Sequence, residues 1–145
     1  MAKTMTWQIA YLNSRIRRYI FSATDLNRSL NTNQMALLIY LLRHLNEQVC
    51  QKDLEIEMGL KKASITGLID RLTAKGYILR EQAEDDRRKN YLHLTQKALD
   101  YKEEIYGKFQ ELDEILKKEF SSEEMEMFYQ ISEKMEKNLN SIVKD

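Results

Sequence analysis

The chain has 145 residues and a formal net charge of zero; 43% of it is hydrophobic and 32% charged, with four Gly, no Pro and one Cys. That length suits one domain, or one compact lobe with a helical extension, and is enough to bury a core. A lone Cys50 excludes an internal disulfide, and no apolar run reaches the length of a signal sequence or a membrane span.

A cytoplasmic location is therefore expected, and the lack of Pro and of Gly/Ser-rich stretches permits long helices without a flexible linker. Ile9, Leu12, Ile16, Tyr19 and Ala23 recur every three or four residues, which predicts a first amphipathic helix with Arg15, Arg17 and Arg18 beside its stripe. Met35, Leu38, Leu41, Leu42 and Leu45 predict a second helix by the same spacing. From Gln51 onward the pattern shortens. Leu54 and Met58 can line one face of a short helix, and Gly59 supplies the left-handed turn that a helix end often needs. Ile65, Leu68, Ile69 and Leu72 then predict a buried face on the next helix, with Lys61, Ser64, Thr66, Gly67 and Arg71 on or near the outward side.

Gly76 is expected to end that helix by the same chemistry as Gly59. Tyr77–Arg80 and Tyr91–Leu94 read as two strands, the second alternating Leu92 and Leu94 inward with Tyr91 and His93 outward. Between them lies the charged loop Ala83–Lys89. Its acids Glu84, Asp85 and Asp86 precede the cations Arg87, Arg88 and Lys89, and the expectation is that one arginine is held by an acid while another points at DNA. The end of the chain predicts a helical hairpin. One stripe runs through Ala98, Tyr101, Ile105, Phe109, Leu112 and Leu116, the other through Met125, Phe128, Ile131, Met135, Leu139 and Ile142. Ser121 and Glu124 between them have capping-box spacing.

A helix-turn-helix followed by a hairpin tipped with cations is suited to duplex DNA: one helix end fits a major groove, and the cations meet neighbouring phosphates or the minor groove. The charge distribution agrees. Residues 1–30 hold five bases and one acid, 61–91 eight and five, and 102–145 seven and twelve, so a neutral chain can still present a basic face.

The order of parts resembles that of the MarR (multiple antibiotic resistance regulator) family of winged-helix transcription factors over nearly the whole chain. Asn31-Thr32-Asn33-Gln34 is similar to that family's second helix start, Leu68–Leu72 with Lys75–Ile78 and Arg80 to its recognition-helix exit, and Asp86-Arg87-Arg88 ahead of Leu94-Thr95 to its wing. Ala83 departs from the pattern where many members carry an acid, and Gly67 where many carry a long base-reading side chain. The fold expected is mainly α with a small two- or three-stranded β wing, a winged helix-turn-helix plus a helical dimerisation region. Residues 1–145 form a single such unit, with 31–95 as the DNA-binding lobe and 1–30 and 96–145 as the dimerisation region. The function implied is a sequence-specific, homodimeric transcriptional regulator, a repressor relieved by a small ligand.

On this reading Lys61, Lys62, Ser64, Thr66, Arg71, Arg87, Arg88 and Lys89 contact double-stranded DNA. The uncovered stripes, with Ile9 and Leu12 at one end and Ile131, Met135, Leu139 and Ile142 at the other, join two copies. Tyr11, Arg15, Tyr19, Tyr40 and His44 are the candidates to line a pocket for a small aromatic effector, the resemblance supplying the ligand class. No cofactor, metal or membrane partner is expected. An enzyme finds little support, since the two histidines His44 and His93 lie apart and no nucleophile motif, phosphate-cradling loop or metal spacing occurs. Two alternatives stay open: a helical protein-interaction adaptor with a winged-helix shape that does not read DNA, and a redox-sensing regulator acting through Cys50.

Overall fold

The computed structural model describes residues 4–84 and 86–142. Helix α1 (Met5–Ala23) starts at Thr4, whose hydroxyl accepts the Trp7 amide at 3.3 Å, and runs into a 3₁₀ turn, Asp25–Arg28. Helix α2 (Thr32–Arg43) opens with reciprocal capping. The Asn31 side chain accepts the Gln34 amide at 2.9 Å and the Gln34 side chain accepts the Asn31 amide at 3.0 Å, so two otherwise orphaned donors are satisfied. Arg43 is its last residue, which leaves Leu45 outside the helix and 40% exposed rather than on the stripe that its spacing predicts.

Helices α3 (Gln51–Met58) and α4 (Lys62–Ala74) form the helix-turn-helix, with Gly59 between them at φ 60°. That left-handed conformation is costly for a residue that carries a Cβ, which is why the turn takes a glycine. At the far end of α4 the Tyr77 amide bonds to the Leu72 carbonyl and the Gly76 amide to that of Thr73, a Schellman closure with Gly76 at φ 77°. That closure uses Tyr77, so strand β1 spans Ile78–Gln82, shifted from the predicted Tyr77–Arg80. It pairs antiparallel with β2 (Asn90–Leu94), Ile78 opposite Leu94 and Gln82 opposite Asn90. A single bridge from Cys50 to Tyr91, with the Leu92 amide on the Val49 carbonyl at 2.8 Å, adds one further pairing at the start of α3.

The stripe from Ala98 to Leu116 does not form one helix. A single turn, α5 (Gln96–Leu99), is followed by α6 (Lys102–Lys117). The Tyr101 amide bonds back three residues to Ala98, and this tighter turn re-aims the chain. Helix α7 (Ser122–Asn140) follows a capping box in which Ser121 and Glu124 satisfy each other as their spacing predicts.

The described chain falls into two compact units dividing after Phe109. In the first, Leu26, Leu37, Leu54, Ile65, Ile69, Leu72 and Ile78 are fully buried in one core, each worth about 1.5–3 kcal/mol of transfer free energy. Tyr106 donates to the Leu42 carbonyl at 2.9 Å and Glu104 accepts the Asp25 amide at 2.8 Å, which ties α6 to α2 and to the 3₁₀ turn. In the second unit α7 buries none of its residues, and Ile131 and Leu139 are 44% and 61% exposed. No described helix is long and apolar enough to cross a membrane.

Candidate nucleic-acid interface

Helix α4 buries Ile65, Leu68, Ile69 and Leu72, so its phase is the predicted one. Lys61, Lys62, Ser64 and Arg71 are exposed, while Gly67 and Thr66 are half-buried. Thr66 faces α3 rather than fully outward. Its hydroxyl lies 2.9 Å from the Lys62 carbonyl and 2.8 Å from the Gln51 amide nitrogen. A Cβ at Gly67 would meet nothing within 4 Å. Gly67→Ala is therefore expected to stabilise the fold by about 0.5–1 kcal/mol, because a helix-interior glycine loses backbone entropy without a steric need for it. A thermal melt no higher than the parent's would contradict this.

In the wing the Ala83 amide bonds to the Lys89 carbonyl and the Lys89 amide to that of Asp86, which closes a tight turn over Arg87 and Arg88. Gln82 donates to the Arg87 carbonyl at 2.7 Å. Among the described residues no acid of the loop pairs with a loop arginine. Asp86 accepts the backbone amide of Arg88 at 2.9 Å, so it shapes the turn and does not neutralise a guanidinium. Asp85 lies outside the described residues. The arginine that an acid does hold is Arg80, which pairs with Asp70 and so braces β1 against α4. His93 meets Glu81 at 2.7 Å on the opposite, exposed face of the sheet.

Between the start of α3, the start of α4 and the wing lies a groove of about 490 Å³. Lys52, Lys62, Arg80, Arg88 and Lys89 line it, against the acids Glu55 and Asp86. The structure thus brings Lys62, Arg88 and Lys89 together as lining of one cationic channel; Lys61, Ser64, Arg71 and Arg87 do not line it. Gln51 and Lys52, which the sequence did not mark, line it too. Nothing local marks them: Gln51 meets Thr66 across fifteen residues, and only the docking of two helices brings them together. Cys50 also lines the groove, as the residue preceding α3.

A second, open cavity of about 550 Å³ lies among α1, α2, the end of α3 and Phe109. Of the five candidate pocket residues only Tyr40 lines it. Helix phase explains the rest of α1. Asn13, Ile16, Arg17 and Ile20 share the face over the cavity, whereas Tyr11 and Arg15 pair with each other on an exposed face, the guanidinium 5.8 Å from the ring centre. His44 caps α2, its ring stacked on Tyr40 at 4.1 Å and its Nδ1 2.8 Å from the Tyr40 carbonyl. Tyr19 is half-buried and does not line the cavity. Burial, followed by the nearby carboxylates of Asp53, Glu57 and Glu47, pushes the Tyr40 hydroxyl above its ordinary pKa. The dimerisation candidates Ile9, Leu12, Ile131, Leu139 and Ile142 are exposed, and Met135 is half-buried.

A helix-turn-helix whose second helix abuts a two-stranded hairpin across a cationic groove defines the winged-helix class. Residues 30–89 match the sequence model of the MarR family. The HTH-type transcriptional regulator YfiV of Bacillus subtilis (strain 168) is 37% identical over 65 residues, which cover 45% of this chain but only 39% of that protein. The crystal structure of the transcription regulator MarR from Oenococcus oeni PSU-1 is 27% identical, with a TM-score of 0.67 over 91% of this chain and 96% of that one. A MarR family regulator from Listeria monocytogenes, solved in complex with a 26mer DNA, shares the fold at a TM-score of 0.79 and 17% identity, over 95% of this chain and 90% of its own.

Proposed function

We propose that the chain is a sequence-specific duplex-DNA-binding transcriptional regulator of the MarR type, a cytoplasmic, non-enzymatic homodimer acting as a repressor. The cationic groove between α4 and the wing carries this reading. In it, α4 enters the major groove at its N-terminal end, where Ser64 and Lys61 meet base edges. Lys62 and Arg71 meet phosphates, and Arg87, Arg88 and Lys89 follow the backbone toward the minor groove. DNA-bound relatives of the same fold support it.

Dimerisation follows from the exposed apolar residues of α1 and α7, together with their charge. The first thirty residues are basic and α7 is acidic, so a basic stripe of one copy suits an acidic stripe of the other. Twofold symmetry would set two α4 helices about 34 Å apart, one turn of duplex. A small amphipathic effector fits the cavity beside Tyr40, where Ile16, Ile20 and Met35 offer apolar contact and Arg17 and Arg43 offer cations.

Selection of bound duplexes from a random pool tests the reading. A palindromic site is expected; Ser64→Ala should relax its preference at one base pair per half-site, and Lys62→Ala should weaken all sequences alike. No enrichment and no salt-dependent shift of random DNA would point to a protein-binding adaptor instead.

A further inference from the structure

We propose that Gln51 is a positioning residue that withdraws the Thr66 hydroxyl from base reading, so that the operator is read by the neighbouring Lys61 and Ser64. The inference rests on the DNA-binding reading above. Thr66 sits on the recognition helix, where a hydroxyl would ordinarily be counted among the groups that read bases.

Its hydrogen and one of its lone pairs, however, are already engaged. A hydroxyl has one donor hydrogen and two acceptor lone pairs. The hydrogen is directed at the Lys62 carbonyl, 2.9 Å away, and that oxygen can only accept. One lone pair therefore receives the Gln51 Nε2 at 2.8 Å. The orientation of that amide is fixed in turn by Glu55, whose Oε1 lies 3.1 Å from the same nitrogen. An ionised carboxylate cannot donate, so the nitrogen end and not the oxygen end of Gln51 must face it. Both hydrogens of the Gln51 amide are thereby assigned, one to Glu55 and one to the Thr66 side, with the Lys62 carbonyl at 3.4 Å sharing the second.

Two of these bonds, from Gln51 to Thr66 and to Lys62, also do mechanical work. Gln51 is the first residue of α3, and Lys62 and Thr66 form the first turns of α4. One side chain thus fastens the start of one helix to the start of the other, across the floor of the cationic groove that Gln51 itself lines. Ser64, two residues from Thr66, is exposed on α4.

The test is selection from a random duplex pool by the full-length protein and three variants, with circular dichroism melts alongside. Thr66→Val keeps the shape and removes the hydroxyl, and it is expected to enrich the wild-type operator. Gln51→Ala frees the second lone pair of Thr66 and removes the bond that holds the hydroxyl toward α3, and preference at one base pair per half-site is expected to change by about fivefold, the worth of one hydrogen bond. Adding Thr66→Val to Gln51→Ala should restore the wild-type preference, whereas a purely structural role for Gln51 would leave the two substitutions independent. A shifted operator for Thr66→Val with Gln51 intact overturns the proposal, and that variant decides the matter even if Gln51→Ala does not fold. A Gln51→Ala preference that survives addition of Thr66→Val overturns it too. If the wild type enriches nothing, the DNA-binding reading fails first and this inference with it.

Discussion

Replacing Ile131 and Leu139 together with glutamate is expected to yield a folded monomer whose affinity for a palindromic duplex is lower on the order of 100-fold or more, because two linked half-site contacts become one. Helix α7 buries no residue of its own, so neither charge enters the protomer's core. At an apolar contact between copies each carboxylate would have to lose its hydration without a partner. Sedimentation equilibrium beside a duplex titration checks both halves of the expectation. A monomer that still binds the palindrome as tightly as the parent would sever association from DNA binding, and an intact dimer would place the contact elsewhere.

Arg88→Ala is expected to weaken duplex binding by about 1–3 kcal/mol and to lower the salt slope by about one, with no change in association. Among the described residues no carboxylate pairs with the Arg88 guanidinium, and Asp86 is occupied with the Arg88 backbone amide. The turn will therefore keep its shape when the side chain is removed. What is lost is a cation on the wall of the groove, opposite Lys62 and Lys52. Binding isotherms at several salt concentrations separate this from misfolding, since a damaged wing would also disturb the Ala83 to Lys89 closure and the melt. Equal affinity at every salt concentration would remove Arg88 from the interface.

Most of the architecture was legible because it is written in local periodicity. Spacings of three and four marked α1, α2, α4 and α7, and alternation of Leu92 and Leu94 marked β2; Gly59, Gly76 and the Ser121/Glu124 pair marked ends and starts whose backbone needs are local. What was not legible depends on contacts distant in sequence. The break between α5 and α6 hides inside an unbroken apolar stripe, since Ala98, Tyr101 and Ile105 keep helical spacing whether or not the turn tightens. The pair that joins Arg80 to Asp70 spans two elements and leaves no local mark. Tyr11 and Arg15 suit a pocket by chemistry, but helix phase turns them away from the cavity and brings Asn13 and Arg17 onto it.

The wing is tied down on both sides. Leu92 and Tyr91 of β2 hold the chain at Val49 and Cys50 just ahead of α3, and Arg80 of β1 holds Asp70 of α4. Each DNA-binding lobe is thus cross-linked between its wing and both helices of the helix-turn-helix. In the proposed dimer, inserting a base pair between half-sites turns the second by about 35° around the duplex axis, and a wing tied to its own helices cannot follow it by bending away from α4. Operators should accordingly hold a single centre-to-centre phase, and a change of one base pair in the spacer should weaken binding even when every contacted base is kept.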